Sequence, residues 1–421
     1  MTDSNSRLDI PYPEKGDKWA PNRAQTISKI LNAEKQYVQH LYHFIFEIRV
    51  ALAEASESKK INIFPDEIEN LFRRIAPIYK LNLNFLTLLE SSIASDISQS
   101  KIGDCFNSTV TLFKAYVEYA NDYGPGITAL RAQFDSDPNL APTIKDFESN
   151  IGLTILELLR LPVERIPRYR LQLLNLLKVT PREHPDRSGA VAAYIQITPM
   201  CDPFIQLLIQ KGKEDLEPLD SQFHDIRILG KPRYLMFHDT LKCFTDKGVV
   251  DIKIWLFSDS VLVGYQTKPI LTPVLYPITN ISSTPVDLPS PYDHGVDFMT
   301  SIDSYRIVFP NMKRQEYFCE VCENLVIDLN IGENPPLLAP VRTPSNDVKD
   351  CMLCGKAFNL ALKPIECGFC RKWFCKKCVS VHEINNHKFN VCKECLSKES
   401  GKPRPHMLID YNYCHVFRTE V

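Results

Sequence analysis

Residues Leu159–Asp186 read LRLPVERIPRYRLQLLNLLKVTPREHPD. Leu171, Leu174 and Leu177 recur at helical spacing, so this stretch is a helix with one apolar stripe. Pro162 and Pro167 stand at its entrance, where a missing backbone N–H is tolerated, and Pro181 marks its end. The same period extends to either side. Helical segments are expected near 104–120, 127–135, 141–159, 162–178 and 187–212. Upstream, Ile27, Ile30, Leu31, Tyr37, Val38, Leu41, Ile45 and Ile48 lie on one face of a long helix that ends near Glu57-Ser58-Lys59-Lys60. A further helix follows Pro65, with Pro77 placed to kink or break it. No strand-like alternation interrupts this half. Roughly 190 residues of long helices with short links read as an elongated bundle.

Near Pro218 the texture changes. Arg233–Phe237, Leu241–Phe244, Ile252–Phe257, Ser260–Tyr265, Val274–Tyr276 and Ser304–Phe309 are short, aromatic, partly alternating runs. Asp246-Lys247-Gly248 and Ser258-Asp259-Ser260 separate some of them as turns, which is the grammar of hairpins. One helix follows, about Lys313 to Leu329, with Tyr317, Phe318, Val321, Cys322, Leu325 and Val326 on one face. Short strands closed by a helix suggest a small barrel or sandwich. Pro269–His294, rich in Pro and Ser, is expected to be a long loop. Asn334–Pro340 is a stiff linker.

Lys and Arg number 49 against 51 Asp and Glu, a net charge of −2, so no basic excess points to nucleic acid. Met1–Ile10 has no apolar core of the kind a secretory signal carries, and no run of about 20 apolar residues is present. The sequence therefore reads as cytoplasmic. Of fourteen cysteines, eight form four Cys-x2-Cys pairs between Cys351 and Cys395. Without a secretory signal, that pattern reads as metal ligation rather than disulfides. A Cys-x2-Cys knuckle presents two sulfurs to one ion, and four knuckles make two closed tetrahedral zinc sites. So small a module has too little core to fold well alone, so the metal supplies folding energy. The remaining cysteines, Cys319 and Cys322 included, read as small core hydrophobes.

The cysteine spacing of two, twelve, two, four, two, thirteen and two residues resembles the FYVE finger, as does Phe374 just before Cys375. A RING finger would have tighter middle spacing and a ligand histidine. The FYVE resemblance implies cross-brace pairing. Cys351, Cys354, Cys375 and Cys378 would hold one zinc, and Cys367, Cys370, Cys392 and Cys395 the other. The family's histidine-rich lipid grip is replaced here by Lys363-Pro364-Ile365-Glu366, and its Arg-Val-Cys by Asn390-Val391-Cys392. A phosphate headgroup needs several converging cations, so the finger is FYVE-like without that grip.

The Leu159–Asp186 block closely resembles the third signature block of Dbl-homology domains. Lys29–Leu41 resembles the first block. Trp255–Val263, followed by Gly264-Tyr265, resembles paired strands of the PH domains that follow them. The resemblance implies a multidomain exchange factor for a Rho/Rac-type small GTPase that regulates actin. Its parts would be an all-α Dbl-homology bundle (20–217), a PH-type β-barrel or sandwich with a C-terminal helix (222–331) and a FYVE-like finger (348–398). The lead-in is 1–19, the linker 332–347 and the tail 399–421. Such domains do no covalent chemistry; they stabilise the nucleotide-free GTPase. The resemblance implies GTPase contacts at Lys29, Glu34, Arg168, Ile205 and Gln206. Lys29 stands where the family has an acid, Glu34 admits a structural role, and Pro199 and Pro203 imply a bent or broken last helix. Lys231, Arg233, Lys242 and Lys253 are the candidates for a weak phosphoinositide membrane contact. Two readings stay open beside constitutive exchange. One is autoinhibition by the finger or tail. The other is a scaffold that keeps the Dbl fold without promoting release.

Overall fold

The computed structural model describes residues 12–13, 18–223, 228–245, 248–267, 270–277, 281–288, 290–300, 304–328, 348–368, 372–384 and 387–398. The chain divides into two compact units, Met1–Asp215 and Leu216–Val421. The expected linker 332–347, the tail 399–421 and most of the lead-in lie outside the described residues.

The first unit is helical. α1 (Trp19–His43) passes through a π-helical turn (Phe44–Ile48) into α2 (Arg49–Glu57). This is the long first helix expected, with one widened turn. Ile27, Ile30, Tyr37, Val38, Leu41, Phe44 and Ile48 form its buried stripe. α3 (Asp66–Arg73) and α4 (Ile75–Ser91) are separate helices. The break falls at Arg74, before Pro77, because a proline is accommodated in a first turn but not four residues after a helical carbonyl. α5 (Gly103–Thr109) leads through a 3-10 turn to α6 (Lys114–Ser136).

α6 corrects an expectation. The Gly124-Pro125-Gly126 interval between the two expected segments is continuous helix. A side chain at Gly126 would meet the Cβ and Cδ2 of Leu71 at 2.8 Å and the carbonyl oxygen of Glu67 at 3.1 Å. That glycine is a point of close helix approach rather than a break.

α7 (Leu140–Ile151) ends at Gly152, whose φ of 81° is left-handed. The single segment expected over 141–159 is thus two helices. Thr154 then opens α8 (Ile155–Lys178) with a capping box: its hydroxyl accepts from the Glu157 N–H, and the Glu157 carboxylate accepts from the Thr154 N–H. α8 begins well before Pro162 and runs through both prolines. α9 (Arg187–Ile197) and α10 (Cys201–Gln222) are separated by a 3-10 turn over Thr198–Met200, the break expected from Pro199. α1 packs on α4 and α8, and α8 also packs on α6 and α9. Phe85, Phe106 and Phe113 surround Tyr169 at the centre, with ring centroids 5.5–5.7 Å from it.

The second unit contains one antiparallel sheet of seven strands. They are β1 (Leu235–Thr245), β2 (Gly248–Phe257), β3 (Ser260–Thr267), β4 (Ile270–Pro277), β5 (Ile281–Val286), β6 (Gly295–Thr300) and β7 (Ser304–Val308). Their order is β4-β3-β2-β1-β7-β6-β5. Two expected runs, 233–237 and 241–244, merge into β1. The loop expected over Pro269–His294 instead contains β4 and β5. Both are edge strands, which is where Pro273, Pro277 and Pro285 are tolerated without losing interior ladder bonds. α11 (Met312–Asp328) buries Tyr317, Phe318, Val321, Cys322 and Leu325, as its apolar face requires. Phe318 meets Phe237, Phe298 and Phe309 with centroids 5.0–5.3 Å apart. A second cluster gathers Leu216, Leu219, Phe223 and Ile228 with Phe257 and Leu262.

The cysteine module consists of two short hairpins, β8 (Ile365–Glu366) with β9 (Trp373–Phe374) and β10 (Val379–Ile384) with β11 (His387–Cys392), followed by α12 (Lys393–Lys398).

Candidate GTPase-binding helices and metal centres

α1 and α8 carry three of the five residues expected to meet a GTPase, and a buried polar network joins them. Arg165 Nη2 of α8 donates to Glu34 Oε2 of α1, and both side chains are enclosed. Tyr169 Oη lies 2.9 Å from Glu34 Oε2 and 2.7 Å from Asn82 Oδ1. Asn82 Nδ2 donates to Tyr116 Oη of α6 at 2.7 Å. The Arg165 guanidinium lies 4.4 Å from the Tyr37 ring centroid and 4.7 Å from that of Tyr169. Burial opposes the charge on Arg165, but Glu34 and the surrounding oxygens raise its pKa well above the ordinary value. Burial likewise pushes the Tyr169 phenol well up, so it stays a neutral donor.

Glu34 is 1% exposed, which corrects its assignment as a contact residue. A carboxylate sealed against Arg165 cannot reach a partner, and the structural alternative for this position is the one observed. Lys29, one turn earlier, is exposed on α1. Arg168 is partly buried and pairs with Glu164 at 2.9 Å, while Arg160 grips the other oxygen of the same carboxylate at 2.7 Å. On α10, Gln206 is exposed and Ile205 partly so.

In the cysteine module, the sulfurs of Cys351, Cys354, Cys375 and Cys378 lie within 4.8 Å of one another, and so do those of Cys367, Cys392 and Cys395. Cys370, expected in the second set, lies outside the described residues. Four sulfurs about 2.3 Å from a tetrahedral zinc would be about 3.8 Å apart. The Cys354 and Cys375 sulfurs are 3.7 Å apart. Backbone N–H groups also point at sulfur: Cys375 N–H at Cys351 Sγ, 3.3 Å, and Cys392 N–H at Cys367 Sγ, 3.2 Å. Such donors favour thiolate. Against the opposing effect of burial they bring the Cys351 thiol down to about 6. Burial and the neighbouring sulfurs push Cys378 up to about 12. Four crowded thiols cannot all ionise unaided, and a dication supplies the missing charge. The donor set therefore fits structural zinc. The two groups are those that cross-brace pairing requires: first and third knuckles together, second and fourth together.

Residues 26–202 match the family model of the RhoGEF domain. The first unit carries a RhoGEF domain. Beyond it, the chain is 24% identical over 425 residues to human "FYVE, RhoGEF and PH domain-containing protein 6", an alignment covering 91% of this chain and 29% of that protein. It is 28% identical over 188 residues to "Rac guanine nucleotide exchange factor JJ" of Dictyostelium discoideum, covering 42% of this chain and 15% of that one. A solved structure of the Vav1 exchange factor aligns with 92% of this chain and 100% of that chain, at 14% identity and a TM-score of 0.39. The chain thus spans under a third of the length of the two curated relatives named here.

The C-terminal half of the signature block has a second task in the RhoGEF domain. Arg23 of α1 is fully buried. It pairs with Asp186, donates to Thr180 Oγ1 at 3.1 Å, and binds the Ser98 and Ser100 carbonyl oxygens. Asp186 also accepts from the Gly103 N–H at 2.7 Å. His184 Nε2 lies 3.2 Å from the Ser98 oxygen, and the Trp19 ring meets His184 edge-on. Thr180, His184 and Asp186 therefore tie the α8–α9 loop to the start of α1. Sequence reasoning missed this anchor, because nothing local marks residues 163 positions apart as partners. The Arg160-Glu164-Arg168 ladder did carry a signal, charges of alternating sign every four residues.

The lipid candidates do not converge. Arg233 is 5% exposed and pairs with Asp259 at 2.9 Å, which corrects its assignment as a headgroup ligand. Lys242 faces its cross-strand neighbour Asp251, 3.4 Å away. Lys253 shares that face, two residues along the ladder. Lys231 is exposed before β1.

Proposed function

We propose that this chain is a guanine-nucleotide exchange factor for a Rho-type small GTPase, acting by binding and without covalent chemistry. The match of residues 26–202 to the RhoGEF domain carries this reading. The domain presents Lys29 and Arg168 on helices that the Glu34–Arg165 pair locks together, a rigid face for reshaping a partner's switch loops. Preorganised helices lose little freedom on docking, so more of the contact energy is available to favour the nucleotide-free GTPase. The name of the Dictyostelium relative makes a Rac-type partner the first to try. The sheet with α11 is read as a PH-type domain, and the cysteine module as a FYVE-like finger holding two zinc ions. Actin regulation, a cytoplasmic location and control by the finger or tail belong to the same proposal.

Lys29 favours a second reading. An exposed ammonium cannot accept the hydrogen bonds that a carboxylate accepts at that position. A scaffold that binds a GTPase without releasing its nucleotide would keep the fold and lose the acid. Release of a fluorescent GDP from a panel of Rho-family GTPases, with the full chain as catalyst, separates the two. Acceleration supports exchange. Binding to a GTPase without acceleration supports the scaffold.

A further inference from the structure

Tyr12 precedes α1 and is 44% exposed. Its ring lies against two cations of the α8–α9 region, with the Arg187 guanidinium 5.1 Å and the Arg182 guanidinium 6.0 Å from the ring centroid. The two arginines differ in freedom. Arg187 Nη1 donates to the carbonyl oxygens of Leu177 and Thr180 at 2.8 and 2.6 Å, so its head is held against the last turn of α8. Arg182 is exposed. Burial, and then the nearby charge of Arg182, lower the Arg187 pKa, while Tyr12 acts in the opposite direction. Two like charges therefore converge on one aromatic residue, an arrangement that an anion at that residue would relieve.

We propose that Tyr12 is a phosphorylation site whose phosphate is received by Arg182 and Arg187. A contact between an exposed ring and a guanidinium is weak, so the ring leaves its seat readily and Oη becomes available to a tyrosine kinase. In the transfer, Tyr12 Oη forms a bond to the γ-phosphorus of ATP, the bond to the β-phosphate oxygen breaks, ADP departs and the phenolic proton goes to the kinase's base. The product carries a charge of about −1.5 to −2 and three acceptor oxygens. Guanidinium groups pair with phosphate through parallel N–H donors. On return to its seat the phosphotyrosine replaces a weak ring contact with charge-assisted hydrogen bonds. Rotation of the exposed Arg182 side chain brings its donors to the phosphate. The modification thus fastens Tyr12 to the loop whose His184 and Asp186 already hold Trp19 and Arg23.

The test uses the full chain. It is treated with a purified tyrosine kinase and ATP, the phosphate is mapped by mass spectrometry, and its removal by a tyrosine phosphatase is timed. Tyr12 is expected to be labelled, and its phosphate to be removed several-fold more slowly than from an Arg182→Ala chain. Arg182→Lys keeps the charge and is expected to retain part of the protection. Arg187 is left in place because it caps α8, and circular dichroism confirms that the Arg182 variants keep their helices. Absence of label at Tyr12, or equal removal rates with and without Arg182, overturns the proposal.

Discussion

The guanidinium of Arg165 is sealed against the carboxylate of Glu34, 131 residues away in the sequence. The pair joins the two helices that carry the signature blocks, and Tyr169 and Asn82 continue the network toward α6. Two opposite charges excluded from water hold each other because neither has solvent to fall back on.

Removing one partner strands the other. Glu34→Gln or Arg165→Met is expected to cost about 3–5 kcal/mol of stability. The double variant Glu34→Leu/Arg165→Met should recover most of that loss, since a matched apolar pair incurs no charge burial. Urea unfolding followed by the helical circular dichroism signal measures both. Full additivity of the two single losses would contradict a shared interaction.

Exchange should respond to Lys29 and Arg168, carried on the same two helices. Lys29→Glu restores an acid on α1 and is expected to raise the GDP-release rate. Arg168→Ala is expected to lower it, with a smaller loss of stability than Arg165→Met because Arg160 still pairs with Glu164. Unchanged rates for both variants, in a chain that does accelerate release, would remove both residues from the contact surface.

His184 makes stability depend on pH. Burial, then the neighbouring Arg23 charge, lower its pKa below the ordinary 6.5. The unfolded chain therefore takes up a proton before the folded one does. The contribution of His184 is complete above the unfolded value of about 6.5 and is lost as the pH falls toward the folded one. Melting temperature should decline below that pH, and His184→Gln should flatten the decline.

Chelation should act on the cysteine module alone. Two zinc equivalents per chain are expected by metal analysis. Cys378→Ser removes a ligand of the first group, and Cys392→Ser one of the second; each should lower the count by one. Loss of both ions from a single substitution would show that the two sites fold as one unit. Helical signal from the RhoGEF domain should survive chelator, because its core contains none of these cysteines.

Gly126→Ala tests the crossing of α3 and α6. At an open helical position alanine would stabilise by about 0.5–1 kcal/mol. Here the added methyl meets Leu71 and the Glu67 carbonyl, and overpacking costs about 1–3 kcal/mol. A net loss of roughly 1 kcal/mol is expected, and a gain in melting temperature would contradict the close approach.

The places where the sequence misled have a common cause. Pro162, Pro167 and Pro125 read as helix entrances or gaps, yet α8 and α6 pass through them, because packing on neighbouring helices outweighs the local penalty. Pro273, Pro277 and Pro285 read as loop, yet they sit on edge strands. Proline restrains its own backbone, but whether an element continues past it depends on what lies alongside. Arg233 read as a surface charge for the same reason, and for Glu34 the sequence left contact and structural roles both open. Nothing within a few residues of either names Arg165 or Asp259.

By itself the sequence determined the features set by short spacing. The apolar stripe of α1, the helix over the signature block, the hairpins after Pro218, the face of α11 and the cysteines fit to bind metal all follow from what neighbouring residues can do in a helix, a strand or a knuckle. The tertiary structure decided which distant groups share an environment. It brought the first knuckle to the third, sealed Glu34 against Arg165, and set Arg23 into the loop of His184 and Asp186. Charge pairing and burial arise only when the chain has packed, since the desolvation that makes such contacts strong is absent from any isolated segment.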